Sequence, residues 1–202
     1  MIVRLIRTSL ILVAFLTITA CQSLLSFSPD RAAVQEIVLH SPSMMEVHRD
    51  TIRVLQMQEF DPGIMVLATY LTTTEGSQMS ECLALFHAQK GAEGWNARSQ
   101  GSGCWPAELI EEEPPIQVIR GQRSSGNQSS SDVSGLVMDP EIKTIQITWQ
   151  DGESQVLEVV KGSFLSVRSG LHDLQTIDAL NEAGELVYSE VIPTPAPGKS
   201  SP

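Results

Sequence analysis

Thr144, Gln146 and Thr148 alternate with Ile145, Ile147 and Trp149, and Asp151-Gly152 follows at once. A period of two puts successive side chains on opposite faces of a strand, and an Asp-Gly pair between two such runs is a strong hairpin signal. Val156-Leu157 to Val160 makes the return strand. Turn signals then recur at Lys161-Gly162, Ser169-Gly170 and 181–184, separating runs around Phe164, Leu174 to Leu180 and Leu186 to Ile192. With Gly135-Leu136-Val137 in front, this spacing predicts about six short strands, the pattern of a small β-sandwich over residues 135–192.

The preceding part of the chain also predicts strands. Residues 51–60, 64–74 and 79–89 are rich in β-branched and large apolar side chains, and a fourth strand runs from Trp95 toward Cys104-Trp105. Turns fall at Asp61-Pro62-Gly63, Glu75-Gly76-Ser77 and residues 90–94. In the third strand Leu83, Leu85 and His87 share one face, with Cys82, Ala84 and Phe86 on the other. A helix leads in. Ser28 suits the N-cap, Pro29 the first helical position and Asp30 the positive end of the dipole. Ala33, Val34, Ile37 and Val38 form its apolar stripe, and Ser41-Pro42 ends it. The expected fold is mainly β, α+β overall: a helix-plus-antiparallel-meander domain over 29–106, then a β-sandwich domain over 135–192; the alternative is one continuous β-rich body in which the linker is a long loop.

Residues 107–134 predict a linker. They hold the acidic run Glu111-Glu112-Glu113, Pro114-Pro115 and a Ser/Gly/Asn/Gln-rich stretch from Ser124 to Ser134, with at most one short strand at 116–120. The Pro/Ser tail, 193–202, predicts disorder.

The N-terminus reads as an address. Arg4 and Arg7 precede an apolar run, then small residues and Cys21, an arrangement too short for a comfortable membrane span. Ile18-Thr19-Ala20-Cys21 resembles the lipobox of bacterial lipoproteins. The resemblance implies a signal peptide over 1–20, cleavage before Cys21, lipid chains on that cysteine, and a tether over 21–28. It also implies a place in the cell envelope, at the outer membrane or the outer face of the cell membrane. Gln22 favours the outer membrane, because an Asp there often retains such proteins at the inner one. The turn rhythm of residues 135–192 in turn resembles bacterial immunoglobulin-like extracellular modules, without the Cys…Trp…Cys spacing of antibody domains.

Cys82 and Cys104 remain as a pair in an oxidising compartment. A hairpin bending near residue 92 sets them nearly opposite each other, which predicts a disulfide. Trp95 and Trp105 flank the Gly101-Ser102-Gly103-Cys104 stretch and are candidate anchors of a binding surface. The plainer alternative is that both cover the core edge beside the disulfide.

Chemistry leaves little trace. His40, His48, His87 and His172 show no metal-ligand spacing, so no metal and no cofactor is expected. No nucleophile elbow, zincin or EF-hand motif occurs. Thirteen Lys+Arg against 24 Asp+Glu, a formal charge of -11, argue against a nucleic-acid partner. The expected function is a lipid-anchored envelope protein presenting non-catalytic binding modules, with the membrane and a protein or glycan as partners. Two alternatives stand beside it. One is a cell-surface hydrolase with an unrecognised carboxylate site, and the other is an accessory subunit of an envelope complex.

Overall fold

A computed structural model describes residues 28–40, 45–74, 78–107, 114–125 and 128–193. The signal segment 1–20, Cys21, most of the tether, the acidic run 111–113 and the tail from 194 lie outside the described residues. The fold is mainly β. One helix, α1 (Pro29–His40), precedes β1 (Met45–Glu59), β2 (Ile64–Thr74), β3 (Met79–Gly91) and β4 (Gly94–Pro106). Then come β5 (Ile116–Ser125), β6 (Gln128–Val137), β7 (Thr144–Trp149), β8 (Ser154–Glu158), β9 (Ser163–Ser169), β10 (Leu174–Leu180) and β11 (Leu186–Val191).

The strands form three antiparallel sheets. Sheet A is the meander β1-β2-β3-β4, sheet B is β5-β6-β9, and sheet C is β11-β10-β7-β8. Strand alternation stacks them. On β2 and β3, Val66, Ala68, Ala84, Phe86 and Ala88 face α1, whose Ala33 and Ile37 complete that core. Alanines at the contact let the helix sit close to the sheet. Met65, Leu67, Leu83 and Leu85 face the other way and meet Leu136, Leu165 and Val167 of sheet B. The opposite face of sheet B supplies Ile116, Val133 and Phe164 to a third core, shared with Ile145, Ile147, Trp149 and Ile177 of sheet C. The order of layers is therefore helix, sheet A, sheet B, sheet C. The central strands β2, β3 and β6 are covered on both faces, in keeping with the continuous apolar run Ile64 to Ala68 at the start of β2.

The meander and the described hairpin turns fall where the sequence puts them, while the turn expected at 75–77 and the helix stop at 41–42 lie outside the described residues. The helix begins as expected: Ala32 N–H donates to the Ser28 carbonyl, and the Ser28 side chain holds the Asp30 carboxyl below its ordinary value. Lys161 and Gly162 both take positive φ, as a tight two-residue turn demands.

The linker expectation needs correction. Residues 116–125 and 128–137 pair along their full length as a hairpin, and β6 is the middle strand of sheet B. Ser131, Asp132 and Ser134 are buried. Small side chains are what this strand requires. A Cβ on Gly135 would lie 2.4 Å from the Gln117 carbonyl oxygen and 2.5 Å from the Phe164 ring, so Phe164 occupies the space a side chain would need. The Ser131 hydroxyl donates to the Gly170 carbonyl and accepts from the His172 N–H at 2.7 Å. The sandwich thus begins at Ile116 rather than at residue 135, and its sheet B is also the second wall of the sheet A core.

Candidate functional site

One irregularity places much of sheet A's chemistry. From Gly91↔Gly94 to Phe86↔Ser99 the β3–β4 pairs step regularly; Gln100 is then an extra residue, and Leu85 pairs with Gly101. Carried straight from the turn, the register would set Cys82 opposite Gly103. The bulge shifts it by one and brings Cys104 opposite Cys82. The two sulfurs are bonded, 2.06 Å apart. The bulge also exchanges the faces of β4. Trp95 therefore packs on the α1 side of sheet A, among the core of Val66 and Phe86, whereas Trp105 packs on the sheet B side beside Ile119. The two candidate anchors lie on opposite faces of one sheet, and the structure does not bring them together.

The Gly101-x-Gly103 stretch serves sheet packing. A Cβ at Gly101 would touch Ile119 and Arg123, and one at Gly103 would lie 2.9 Å from the Trp105 ring. These glycines let β5 approach β4. Arg123 of β5 fastens the contact. Its Nε donates to the carbonyl that the bulge exposes on Gln100, at 3.1 Å, and its Nη1 lies 2.5 Å from Asp132 Oδ1. Asp132 is 1 % exposed, and its Oδ2 has no hydrogen-bond partner among the described residues. Burial raises its carboxyl above the ordinary value, and Arg123 pulls it partway back.

A recess of about 320 Å³ opens at one edge of the B/C sandwich. Trp149, Val133, Leu174 and Ile192 give it apolar walls, and Arg120, Gln122, His172 and Asp173 give it a polar rim. Gln122 Nε2 bridges the rim, donating to the His172 carbonyl at 2.8 Å and to Asp173 Oδ1 at 2.9 Å. Beside it, Arg168 stands 5.8 Å from the Trp149 ring and pairs with Asp151 at 2.9 Å and Glu153 at 2.6 Å. His172 turns its edge to Trp149, its Nδ1 to Asp151 and its Nε2 to the Ser169 carbonyl. The Glu153 N–H, then Arg168 and His172, hold the Asp151 carboxyl below its ordinary value. The carboxyl of Asp132 borders this recess only from behind, because alternation along β6 turns it toward sheet A while Val133 faces sheet C. The arrangement can accept a small polar or aromatic group, although Arg168 and His172 are already engaged by Asp151 and Glu153, and Asp173 by Gln122.

The four histidines occupy four separate places. His40 pairs with Glu36 at 2.9 Å, His48 Nε2 meets Thr73 Oγ1 at 2.8 Å, His87 packs edge-on against Phe60, and His172 belongs to the recess. Among the described residues, no group of three or more His, Cys, Asp or Glu is placed to hold a metal ion. No described helix is long and apolar enough to cross a membrane.

The outer face of sheet C is covered by no further layer among the described residues. Cross-strand partners share a face, so Leu186, Leu180, Thr144 and Glu158 form one row across it. Asp178, Gln146 and Val156 form the next, with Ser189 beside Asp178, and Val191, Thr176, Thr148 and Ser154 the third. Val156, Leu186 and Val191 are 65 %, 61 % and 72 % exposed. Composition could not have revealed this surface, because β11 and β8 show the same alternation as buried strands. Comparison of the chain with protein-family models, curated proteins and solved structures finds no match.

Proposed function

We propose that the chain is a lipid-anchored, non-catalytic interaction protein of the cell envelope, and that the outer face of sheet C is its docking surface. The observation that carries the reading is the asymmetry of the stack. Sheets A and B are covered on both faces, while sheet C leaves three strongly exposed aliphatic side chains on a flat, hydrogen-bonding face. Exposed apolar groups that gather in a patch mark interaction surfaces, and Leu186 and Val191 stand together on β11 of this face. The Ile18-Thr19-Ala20-Cys21 lipobox supports the anchor. Two facing sheets and the turn rhythm support reading the C-terminal half as immunoglobulin-like.

The partner follows from the chemistry of that face. Its paired positions carry Asp178 and Glu158 and no cation. A second copy would set like charges against each other, so the surface suits a different protein that offers aliphatic and basic side chains. An accessory subunit docked on a larger envelope complex would meet this description.

Two measurements test the reading. Cys21→Ser should move the protein from the membrane to the soluble fraction; retention on the membrane would sink the anchor. A partner cross-linked to the wild-type protein in native membranes should be lost with Leu186→Glu/Val191→Glu and kept with a control substitution on sheet A, such as Arg53→Gln. A partner indifferent to the double substitution would rule out this face.

A further inference from the structure

A second cavity lies on a different side of the molecule and has a predominantly cationic lining. It is the larger of the two, about 730 Å³, and follows the free edge of β4, the terminal strand of sheet A. The last turn of α1 walls it at one end, through Glu36 and His40, and the β5–β6 hairpin walls it at the other, through Arg123, Ser129 and Ser130. The chain as a whole is strongly acidic, at -11. The lining of this groove nevertheless holds three cations, Lys90, Arg98 and Arg123, against one carboxylate, Glu36.

The internal pairing sharpens the contrast. Arg123 is compensated by Asp132 and fixed to the Gln100 carbonyl, and Glu36 is engaged by His40. Lys90 and Arg98 are the two cations left, and no hydrogen bond or ion pair engages either side chain among the described residues. They come from the two sides of the sheet, because Lys90 pairs with Trp95 and Arg98 with His87, so they face the groove from either flank of the β4 edge. Between and beyond them stand uncharged donors: the amide of Asn96 and the hydroxyls of Ser129 and Ser130. Cations on both flanks, with an amide and two hydroxyls beside them, form a donor-rich lining. Such a lining answers acceptor oxygens that carry negative charge.

We propose that this groove binds a ligand bearing oxyanion groups, carboxylate or phosphate, with Lys90 and Arg98 as its charge partners. The net charge of the protein repels anions at long range, so recognition here is short-range and weakens as salt rises. The proposal is independent of the docking face on sheet C.

The test is calorimetric titration of the full chain in non-ionic detergent at low salt, using inorganic pyrophosphate, citrate and a neutral disaccharide. The expected result is saturable binding of at least one anion and none of the disaccharide. Binding should weaken about tenfold in Lys90→Gln/Arg98→Gln, as expected for losing two charge-assisted contacts, and stay unchanged in Arg53→Gln. Pyrophosphate alone would identify a phosphate-bearing ligand, citrate alone a carboxylate-bearing one, and both a site that reads charge without geometry. Both substituted side chains are exposed, so the double variant should unfold at the wild-type temperature, and a thermal scan checks this. Absence of saturable binding by either anion would overturn the proposal. So would affinity unchanged in the double variant, or a loss of equal size in Arg53→Gln.

Discussion

Gln100, the extra residue of the β4 bulge, sets the partner of Cys82, exchanges the faces of Trp95 and Trp105, and offers a carbonyl to Arg123. The disulfide it aligns closes a loop with a sequence separation of 22. Breaking it through Cys82→Ala/Cys104→Ala should cost about 3 kcal/mol on loop-entropy grounds. Intact mass before and after reduction and alkylation checks the bond, and two alkylatable thiols in the unreduced protein would contradict it. The Arg123–Asp132 pair makes a second residue-scale prediction. Asp132 holds its proton more tightly folded than unfolded, so its contribution to stability is greatest in acid and falls as pH rises above the ordinary 3.8. Arg123→Met strands that carboxylate in the interior. The substitution should cost about 3–5 kcal/mol at neutral pH and less near about pH 4, because proton uptake by the buried carboxyl relieves the cost as pH falls. Urea unfolding at both values measures the difference, and a cost that grows in acid would contradict the pairing. At this scale the cysteine pair was legible from hairpin arithmetic. The placement of the two tryptophans on opposite faces was not, because a bulge leaves no mark in local composition while inverting every face beyond it.

At the scale of elements, the meander, the helix cap and the hairpin turns follow from local signals: alternation, Asp-Gly and Lys-Gly pairs, a Ser-Pro-Asp start. β6 does not. Its Ser-Ser-Ser-Asp-Val-Ser-Gly run has the composition of a flexible linker, since small polar residues bring little strand propensity of their own. What orders it is non-local. β5 and β9 pair with it on either side, and Phe164 packs into the gap over Gly135. Amide hydrogen exchange should therefore find residues 128–137 protected to the level of β2 and β3; exchange at the rate of an open chain would restore the linker. Gly135→Ala should destabilise the fold by about 1–3 kcal/mol, because the added methyl meets a backbone carbonyl and a packed ring. Thermal unfolding reads that loss.

For the whole molecule, sheet B is the shared wall. Leu136, Leu165 and Val167 close the core of sheet A, while Val133 and Phe164 of the same strands close the sandwich. Gln56 Nε2 of β1 also reaches the Ser163 carbonyl at 2.7 Å. The two halves expected from the sequence are thus joined through buried side chains, and chemical unfolding should show coincident transitions by tryptophan fluorescence and far-UV circular dichroism. Two separated transitions would mean that the sheets fold independently. A stack of this kind leaves sheet C with one bare face, and the functional reading rests on that face being where a partner sits. Cross-linking mass spectrometry of the lipidated protein in its native membranes tests this most directly. Cross-links to one partner should gather on lysines and carboxylates bordering β8, β10 and β11, such as Lys143, Asp178, Glu158 and Glu190. Cross-links gathered on α1 and sheet A, with none around sheet C, would contradict it.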